Sequence, residues 1–316
     1  MRLGQVLSVV LFAACEAHAP SVGSRDDPRA VPSSTVPSST TPVVEPALRV
    51  RWLGGPTATL ERSGLRVLTD PMLGPREDVA FRLPKHPSSG VLDAPVARYT
   101  SPPAFDMQGL TAILISHTHN DHFDATAQRT LPKSLPVVVA KAGADKVRAA
   151  GFADVRPLDW SESLTLEHAG TNLKITAVPA HHAHDAGLDS ELGRGNGYVL
   201  EWRDSRGVCR VYWTGDAVLS DDSRGLAEKY GPIDLLLPHL GGVGGDGGLG
   251  LRTMNAAETL GLVERVNPAL VIPIHHTTFA HYREPIEALE QRAGEAGLAK
   301  SFHFLREGES FDLQRR

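Results

Sequence analysis

A short apolar run followed directly by a cluster of histidines constrains this chain more than any other feature. Residues 112–116 have the apolar character of a buried strand, and they are followed by His117, His119, Asp121 and His122. Imidazole nitrogens and carboxylate oxygens suit zinc and other borderline divalent ions. Four such side chains within six positions therefore predict a metal site at the end of a strand.

The same pattern, a strand followed by metal-type side chains, recurs further along the chain. These later residues are His181, His182 and His184 after residues 173–178, Asp216 after residues 210–213, and His275 and His276 after residues 270–274. Nine of the 14 histidines lie in these clusters when His281 is included. The repetition predicts one dinuclear metal site along a common rim of the fold.

Strand and helix patterns alternate in two halves, and no repeat of fixed period is found. Predicted strands are residues 48–53, 57–61, 65–69, 112–116, 137–140, 173–178, 198–202, 210–213, 234–237 and 270–274. Predicted helices are residues 142–150, 255–266 and 285–297, the last two opening with a capping asparagine and a first-turn proline. Two sheet-plus-helix halves predict an α+β fold, a four-layer αββα sandwich forming a single domain.

The amino terminus has the composition of a targeting segment and a tether. Residues 1–14 are expected to be a signal peptide, and Cys15 ends a stretch that resembles a bacterial lipobox, in which the cysteine is acylated. Residues 15–46, rich in Pro, Ser and Thr, are expected to be a disordered tether, so the folded domain would span 47–316. The protein is then expected to be exported and held at the cell envelope by its lipid anchor. The alternative is a plain signal with an incidental cysteine, giving a periplasmic or secreted soluble protein.

Composition excludes several other classes. Two cysteines are too few for a disulfide-stapled miniprotein or a cysteine-based zinc finger. A net charge of −5, with no basic patch interleaved with aromatic residues, argues against nucleic acid as a partner.

The order of these motifs resembles that of the metallo-β-lactamase superfamily, and the resemblance covers residues 48–316. It is closest to the branch that holds L-ascorbate-6-phosphate lactonase and N-acylphosphatidylethanolamine phospholipase D. The motifs shared with that branch are Trp52-Leu53-Gly54, Leu68-Thr69-Asp70-Pro71, Leu158-Asp159-Trp160, Val178-Pro179-Ala180, Met254-Asn255 and Ile274-His275. The branch usually has a histidine at the position of Gly55, so the chain departs from the pattern there.

The resemblance implies two sets of ligands bridged by one carboxylate. The first ion would be held by His117, His119 and His182, with His181 as the alternative to His182. The second would be held by Asp121, His122 and His275, with Asp216 bridging both ions. Further residues next to the ligands or in the pocket would be Asp70, His184, His239 and His276, where Asp70 either accepts a hydrogen bond from a ligand imidazole or caps a turn.

The resemblance also implies a hydrolytic reaction. Two divalent ions, Zn²⁺ in the first place with Mn²⁺ or Fe²⁺ as alternatives, would share a hydroxide that attacks a phosphodiester or ester bond. Asp121 would orient this hydroxide and take up its proton. The expected substrate is a small molecule or lipid, with a phospholipase-D-like phosphodiester favoured over a lactone.

Two other classes of protein and one loop stay open. An iron-binding oxidoreductase and a non-catalytic metal-binding lipoprotein are both compatible with the same ligand residues. Residues 241–250 contain seven glycines and are either a mobile loop at the metal rim or a plain connector.

Overall fold

Two β-sheets, one of seven strands and one of five, form the centre of the fold. The computed structural model describes residues 47–77, 81–83, 94–244 and 250–314. The predicted signal segment, the lipidation site Cys15 and the tether lie outside these residues, as does part of the glycine-rich stretch. Among the described residues, no helix combines the length and apolar character needed to cross a bilayer.

The described residues contain fourteen strands and six α-helices. The strands are β1 (Leu48–Gly54), β2 (Thr57–Arg62), β3 (Leu65–Thr69), β4 (Phe81–Leu83), β5 (Ala94–Val96), β6 (Leu110–Ile115), β7 (Val137–Ala140), β8 (Val155–Leu158), β9 (Ser163–His168), β10 (Thr171–Ala180), β11 (Gly195–Asp204), β12 (Gly207–Trp213), β13 (Leu235–Leu237) and β14 (Ser310–Leu313). The helices are α1 (Ala125–Thr130), α2 (Ala144–Ala149), α3 (Ala186–Leu192), α4 (Leu226–Tyr230), α5 (Ala256–Val266) and α6 (Ile286–Glu295). Short 3₁₀ turns occupy Lys141–Gly143, Asp221–Ser223 and Ala299–Ser301.

The two sheets differ in how their strands pair. The larger sheet has the order β14-β1-β2-β3-β6-β7-β8, antiparallel from β14 to β3 and parallel from β3 to β8. The smaller sheet has the order β13-β12-β11-β10-β9, antiparallel except for the parallel pair β12–β13. The strands β4 and β5 form a separate two-stranded ribbon.

Three apolar clusters define four layers. The central cluster packs the inner faces of the two sheets together, with Val138 from the larger sheet and Trp202 from the smaller. A second cluster packs α1 and α2 on the outer face of the larger sheet, and a third packs α4, α5 and α6 on that of the smaller. In β7, Val138 faces the central cluster while Val137 and Val139 face the helices, as expected for a parallel strand buried on both sides. The predicted α+β αββα sandwich is confirmed, as one domain covering most of the chain.

One predicted strand is wrong. Residues 270–274 form isolated bridges, from Val271 to Leu236 and Phe302 and from Ile274 to His239, rather than a strand. Pro273 has no N–H group to donate to a ladder, and this limits the pairing of the segment. Both the Leu236 and the His239 bridges are parallel, so this segment runs in the same direction as β13.

Strand direction brings the predicted site residues to one rim. The parallel strands β3 and β6 end side by side, and Asp70 N–H donates to Leu114 C=O at 2.9 Å. In the smaller sheet β10 and β12 run in the same direction, each being antiparallel to β11. The rims of the two sheets are joined where Asn196 N–H donates to Ser116 C=O at 2.9 Å. Segments following β3, β6, β10 and β12 therefore meet at a single edge.

Candidate metal centre

Three histidines from the segments that follow β6 and β10 converge at this rim to form the first ligand group. His117 Nε2 lies 2.9 Å from His119 Nδ1, which lies 3.3 Å from His182 Nε2. The three ligand atoms lie within 4.8 Å of one another. His117 and His182 are buried, and His119 faces the cavity that opens over the group.

Hydrogen bonds on the far side of each ring determine which nitrogen carries the proton. His119 Nε2 donates to Leu192 C=O at 2.8 Å, and His182 Nδ1 donates to Arg252 C=O at 2.7 Å. Ser116 Oγ gives its hydrogen to the Asp70 carboxylate at 2.6 Å, so it accepts from His117 Nδ1 at 3.0 Å. The three converging nitrogens are therefore all lone-pair acceptors.

A second group lies next to the first and includes a carboxylate. It comprises His122, Asp216, His239 and His275, all buried. His122 Nε2 lies 3.1 Å from Asp216 Oδ2, and His275 Nε2 lies 3.3 Å from Asp216 Oδ1. The outer nitrogen of His275 donates to Leu240 C=O at 2.9 Å, so its inner nitrogen is an acceptor facing a carboxylate.

The donor atoms of both groups fit divalent metal ions. Acceptor nitrogens facing one another or a carboxylate repel unless a cation lies between them. His122 Nε2 and His275 Nε2 are buried and have no hydrogen-bond partner among the described residues, although buried polar atoms are nearly always paired. Three imidazoles in one group, and imidazole with carboxylate in the other, suit zinc and similar ions.

Asp216 lies between the two groups. Its Oδ2 atom is 3.1 Å from His122 Nε2 and 3.7 Å from His182 Nε2, which belong to different groups. The preceding residue, Gly215, has φ +59°, and a Cβ atom there would lie 2.7 Å from Asn196 O and 2.8 Å from Ser116 Cβ. Glycine therefore allows the chain to turn tightly at the end of β12 and to place Asp216 at the junction.

Asp70 lies behind the ligands, as one of the two sequence interpretations expects. Its side chain is fully buried and accepts hydrogen bonds from Ser116 N at 2.7 Å and from His122 Nδ1 at 2.7 Å. The carboxylate thus fixes the ring of His122 and, through the Ser116 hydroxyl, that of His117. Partners of this kind orient ligands and raise their basicity.

His239 lies behind Asp216, which is the first of the two positions, next to the ligands or in the pocket, that the sequence analysis gave for it. Trp213 Nε1 donates to His239 Nε2 at 2.8 Å, so the ring proton is on Nδ1 and is donated to Asp216 Oδ1 at 2.9 Å. Both nitrogens are therefore used, which makes His239 a partner of the carboxylate rather than a further ligand.

Three other predicted residues lie away from both groups. His181 bridges Asp189 and Asp222 at 2.9 Å each, so the structure brings His182 and not His181 to the site. His184 is half-exposed and bonds Glu258 at 2.6 Å. His276 packs on Trp52, with ring centroids 4.4 Å apart, and lines a different cavity. The expectations for His181 as a ligand and for His184 and His276 as pocket residues are not matched by these positions.

Asp121 stands at the surface of the cavity, together with a histidine to which the sequence analysis gave no role. His281 Nε2 lies 3.5 Å from Asp121 Oδ2, and His122 Nε2 lies 3.9 Å from the same oxygen. In the sequence, the only indication of a role for His281 was its place in a histidine-rich segment. Its spacing from Asp121 does not indicate that the two side chains are in contact.

The cavity over the two groups measures about 250 Å³. Its polar lining includes His119, Asp121 and His281, and its apolar lining includes Phe81 and Leu192. Three cationic side chains also line it, namely Arg82, Lys146 and Arg252. Val243 lines it from the described part of the glycine-rich stretch.

Burial and neighbouring charges set the protonation of the ligands. Burial lowers the pKa of His119 to about 4 and that of His275 to about 3, so both rings are neutral at pH 7. Burial disfavours charge on His122, but Asp216 and Asp70 outweigh it and raise the pKa of His122. Burial alone would raise the pKa of Asp216, but His122 and His275 hold it well below its usual value.

At Gly55 the chain has a glycine where the branch named in the sequence analysis usually has a histidine. A Cβ atom at this glycine, which has φ +52°, would lie 2.8 Å from Phe279 Cε2 and 3.4 Å from the Tyr282 hydroxyl. Gly55 C=O accepts from His275 N–H at 2.9 Å. The space in which the histidine of the branch would begin is therefore filled by aromatic rings, while the backbone still positions the ligand His275.

Comparison with known proteins agrees with this arrangement. The sequence profile of the beta-lactamase superfamily domain matches residues 65–276. A metal-dependent hydrolase of Methanopyrus kandleri is 27% identical over 269 residues, covering 84% of this chain and 100% of that protein. An N-acyl-phosphatidylethanolamine-hydrolyzing phospholipase D of Caenorhabditis elegans is 26% identical over 265 residues, covering 78% and 70%. A solved structure of a possible metal-dependent hydrolase from Veillonella parvula superposes with a TM-score of 0.69 at 23% identity, covering 84% of this chain and 99% of the other.

The αββα sandwich, the two ligand groups at its rim and these relatives define a metal-dependent hydrolase. The profile match spans more than half of the chain. The chain belongs to the beta-lactamase superfamily, with the metallo-β-lactamase fold.

Proposed function

We propose that the protein is a dinuclear metal-dependent hydrolase that cleaves a phosphodiester or ester bond, with a phospholipase-D-like phosphodiester preferred. The observation that carries the proposal is the position of Asp216, whose Oδ2 atom lies 3.1 Å from His122 Nε2 and 3.7 Å from His182 Nε2, two histidines of different ligand groups. A carboxylate shared by two ligand groups is suited to hold two ions close together.

The residues divide the work of the site. His117, His119 and His182 would hold one ion, and Asp121, His122 and His275 the other, with Asp216 between them. When bound, such ions supply activated water at neutral pH and polarise the oxygen of the bond to be cleaved. Asp121, at the cavity wall, orients the attacking water and accepts its proton at a carboxylate oxygen.

The cavity lining supports an anionic substrate over a neutral lactone. Lys146 Nζ is held at the wall by Thr118 C=O at 2.5 Å and Asn120 Oδ1 at 3.3 Å, and Arg82 and Arg252 add two further positive charges. A phosphodiester carries a negative charge that these cations attract, whereas a lactone does not. Phe81, Leu192 and Val243 offer apolar contact to the rest of the substrate. A relative named as a phospholipase D is consistent with this preference.

The test is an activity panel with the full-length protein loaded with zinc or with manganese. The panel contains bis(p-nitrophenyl) phosphate, phosphatidylethanolamine and N-acylphosphatidylethanolamine in mixed micelles, a γ-lactone and a simple aryl ester. We expect chelator-sensitive turnover of a phosphodiester that is lost in Asp216→Ala and kept in Asp312→Asn, a surface control paired with Arg49. Turnover of the lactone alone would mean that the same site catalyses lactone hydrolysis instead of phosphodiester hydrolysis. No turnover of any substrate would overturn the proposal.

A second comparison tests the role of charge. Lys146→Gln is expected to lower kcat/KM for the phosphodiester by about 10-fold or more, since a charged hydrogen bond contributes about 1.5–3 kcal/mol, and to leave any turnover of the neutral ester unchanged. Equal losses on both substrates would show that Lys146 acts through the fold of the Thr118 segment instead.

We further propose that the chain is an exported lipoprotein anchored through Cys15, on the sequence pattern described above. Metabolic labelling with a fatty acid should mark the wild type and not Cys15→Ser. Equal labelling of the two would refute the anchor, and unlabelled protein in the medium would favour a secreted soluble form.

A further inference from the structure

His281 is a buried histidine with one nitrogen at the metal centre and the other without a partner. Its Nε2 atom lies 3.5 Å from Asp121 Oδ2, and the side chain lines the cavity. Its Nδ1 atom is buried and has no hydrogen-bond partner among the described residues. None of the ligand groups described above includes it.

The surroundings of His281 hold its ring in one orientation. The ring of Phe81 meets it edge-on at 5.1 Å, and those of Phe279 and Tyr282 lie 5.8 Å and 4.6 Å away. A ring packed among three aromatic side chains from two segments of the chain has little freedom to rotate. Packing therefore holds the Nε2 atom beside the Asp121 carboxylate.

Burial of Nδ1 without an acceptor indicates where the ring proton is. A buried N–H group without an acceptor is rarer than an acceptor without a donor, so the neutral ring carries its hydrogen on Nε2. The Asp121 carboxylate lies beside this nitrogen and is an acceptor for its hydrogen. The distance of 3.5 Å is long for a hydrogen bond, as contacts in catalytic sites often are before a ligand is bound.

The other carboxylate of the centre has an equivalent partner. Asp216 accepts at 2.9 Å from His239, whose tautomer is fixed by Trp213. Asp121 has His281 in the corresponding place, with an aromatic frame instead of a hydrogen-bonding tryptophan. Each of the two carboxylates thus has one neighbouring histidine, His239 for Asp216 and His281 for Asp121. Neither histidine is assigned as a metal ligand.

We propose that His281 is a positioning residue for Asp121: through Nε2–H it sets the rotation of the Asp121 carboxylate and so determines how this side chain serves the ion held with His122 and His275. The inference rests on the proposed function, since it assumes that Asp121 is a ligand. It predicts that His281 controls one of the two ions selectively, because the three-histidine group has its own outer hydrogen bonds to Leu192 and Arg252.

The experiment measures metal binding by the full-length protein without any substrate. Metal-free wild type, His281→Phe and His281→Gln are titrated with Co²⁺, followed by absorption spectroscopy, and with Zn²⁺ in competition with a chromophoric chelator. Phenylalanine keeps the packing against the aromatic frame but has no donor, whereas glutamine retains one. His303→Phe is the matched control, because His303 packs on Phe311 with ring centroids 4.2 Å apart and lies outside both ligand groups.

We expect His281→Phe to weaken the binding of one of the two ions by about 10–100-fold and to change the Co²⁺ spectrum of that ion. The affinity for the other ion should stay unchanged. His281→Gln should recover part of the affinity, and His303→Phe should match the wild type. Wild-type affinities and spectra in His281→Phe would overturn the inference. So would equal weakening of both ions with no recovery by glutamine, which is the result of a purely structural role.

Failure of this inference and failure of the proposed function are distinguishable. Binding of two ions with no turnover on the substrate panel contradicts the proposed function and leaves the positioning role measurable. Turnover with two ions that are insensitive to His281→Phe contradicts the positioning role alone. A wild type that binds no metal overturns both.

Discussion

A buried ion pair joins the two sheets at the end of the sandwich that lies away from the metal centre. Arg62 ends β2 of the larger sheet and Asp204 ends β11 of the smaller, with side chains 1% and 5% exposed. The guanidinium donates Nε to Oδ2 at 3.0 Å and Nη2 to Oδ1 at 2.7 Å, a bidentate arrangement. Ser63 Oγ donates to the same carboxylate at 2.7 Å. Removing the negative charge therefore leaves a buried guanidinium without its counter-charge.

The expected cost of Asp204→Asn is about 3–5 kcal/mol in the free energy of unfolding, which is typical of breaking one side of a buried pair. Urea unfolding followed by tryptophan fluorescence measures it, provided that the m-value stays unchanged. The double variant Arg62→Leu with Asp204→Leu should recover much of the loss, because two apolar groups need no desolvated charge. A loss below about 1 kcal/mol in Asp204→Asn would refute the reasoning.

The same pair predicts a pH dependence with a definite sign. The Arg62 hydrogen bonds hold the pKa of the Asp204 carboxyl well below its usual range. A lowered pKa in the folded state contributes stability that is fully present above the ordinary Asp pKa of about 3.9 and is lost as the pH falls further toward the folded-state pKa. The stability difference between wild type and Asp204→Asn should therefore be constant near neutral pH and shrink in acid. A difference that does not change between neutral pH and about pH 3 would contradict this assignment.

Three further predictions concern the metal centre. Asp70→Ala should weaken metal binding at His122 by about 10–100-fold in a chelator competition, since it removes the acceptor of the outer ring nitrogen, and an unchanged Kd would contradict this role. His182→Gln should lower the metal content measured by mass spectrometry while His181→Gln should not, because the ring of His181 is held by Asp189 and Asp222; the reverse result would exchange the two assignments. Removal of metal with a chelator should lower the Tm by roughly 5 °C or more if the free ion was present at about 100 times its Kd. A Tm that does not depend on metal would show that the centre does not bind ions in the folded protein.

The convergence of the ligands could be predicted from the sequence because it depends on strand ends and chain direction. His117, His119 and His122 follow β6 directly, His182 follows β10, and Asp216 follows β12 by three residues. Such positions can be recognised in the amino-acid sequence as apolar runs followed by polar residues. The rim could therefore be predicted even where the strand limits were short by several residues, as for β10 and β11.

The roles of the remaining histidines could not be predicted, because they depend on partners that are distant in sequence. His239 is excluded as an extra ligand by Trp213, which lies 26 residues away. His181 and His182 are adjacent, and only the position of Asp189 on α3 shows which of them turns away from the centre. His281 meets Asp121 across 160 residues of chain, and no spacing rule indicates such a contact.

The prediction of a strand over residues 270–274 failed for a local reason. Apolar β-branched residues favour an extended conformation, which is why the pattern indicated a strand. Pro273 interrupts the ladder, and the segment is reduced to bridges at Val271 and Ile274. The ligand after it, His275, is instead positioned by its backbone bond to Gly55 C=O.

Helix α3 is connected to the metal centre although it contributes no ligand. Its last residue, Leu192, accepts the outer proton of His119, and its Asp189 accepts the backbone N–H of His182 at 2.6 Å. Two of the seven residues of this short helix therefore bond directly to histidines of the first ligand group. Short surface helices usually exchange their amide hydrogens quickly, by local opening. Hydrogen exchange in α3 should therefore slow when metal is bound at the centre. The exchange rate of this helix would then report metal occupancy without any substrate.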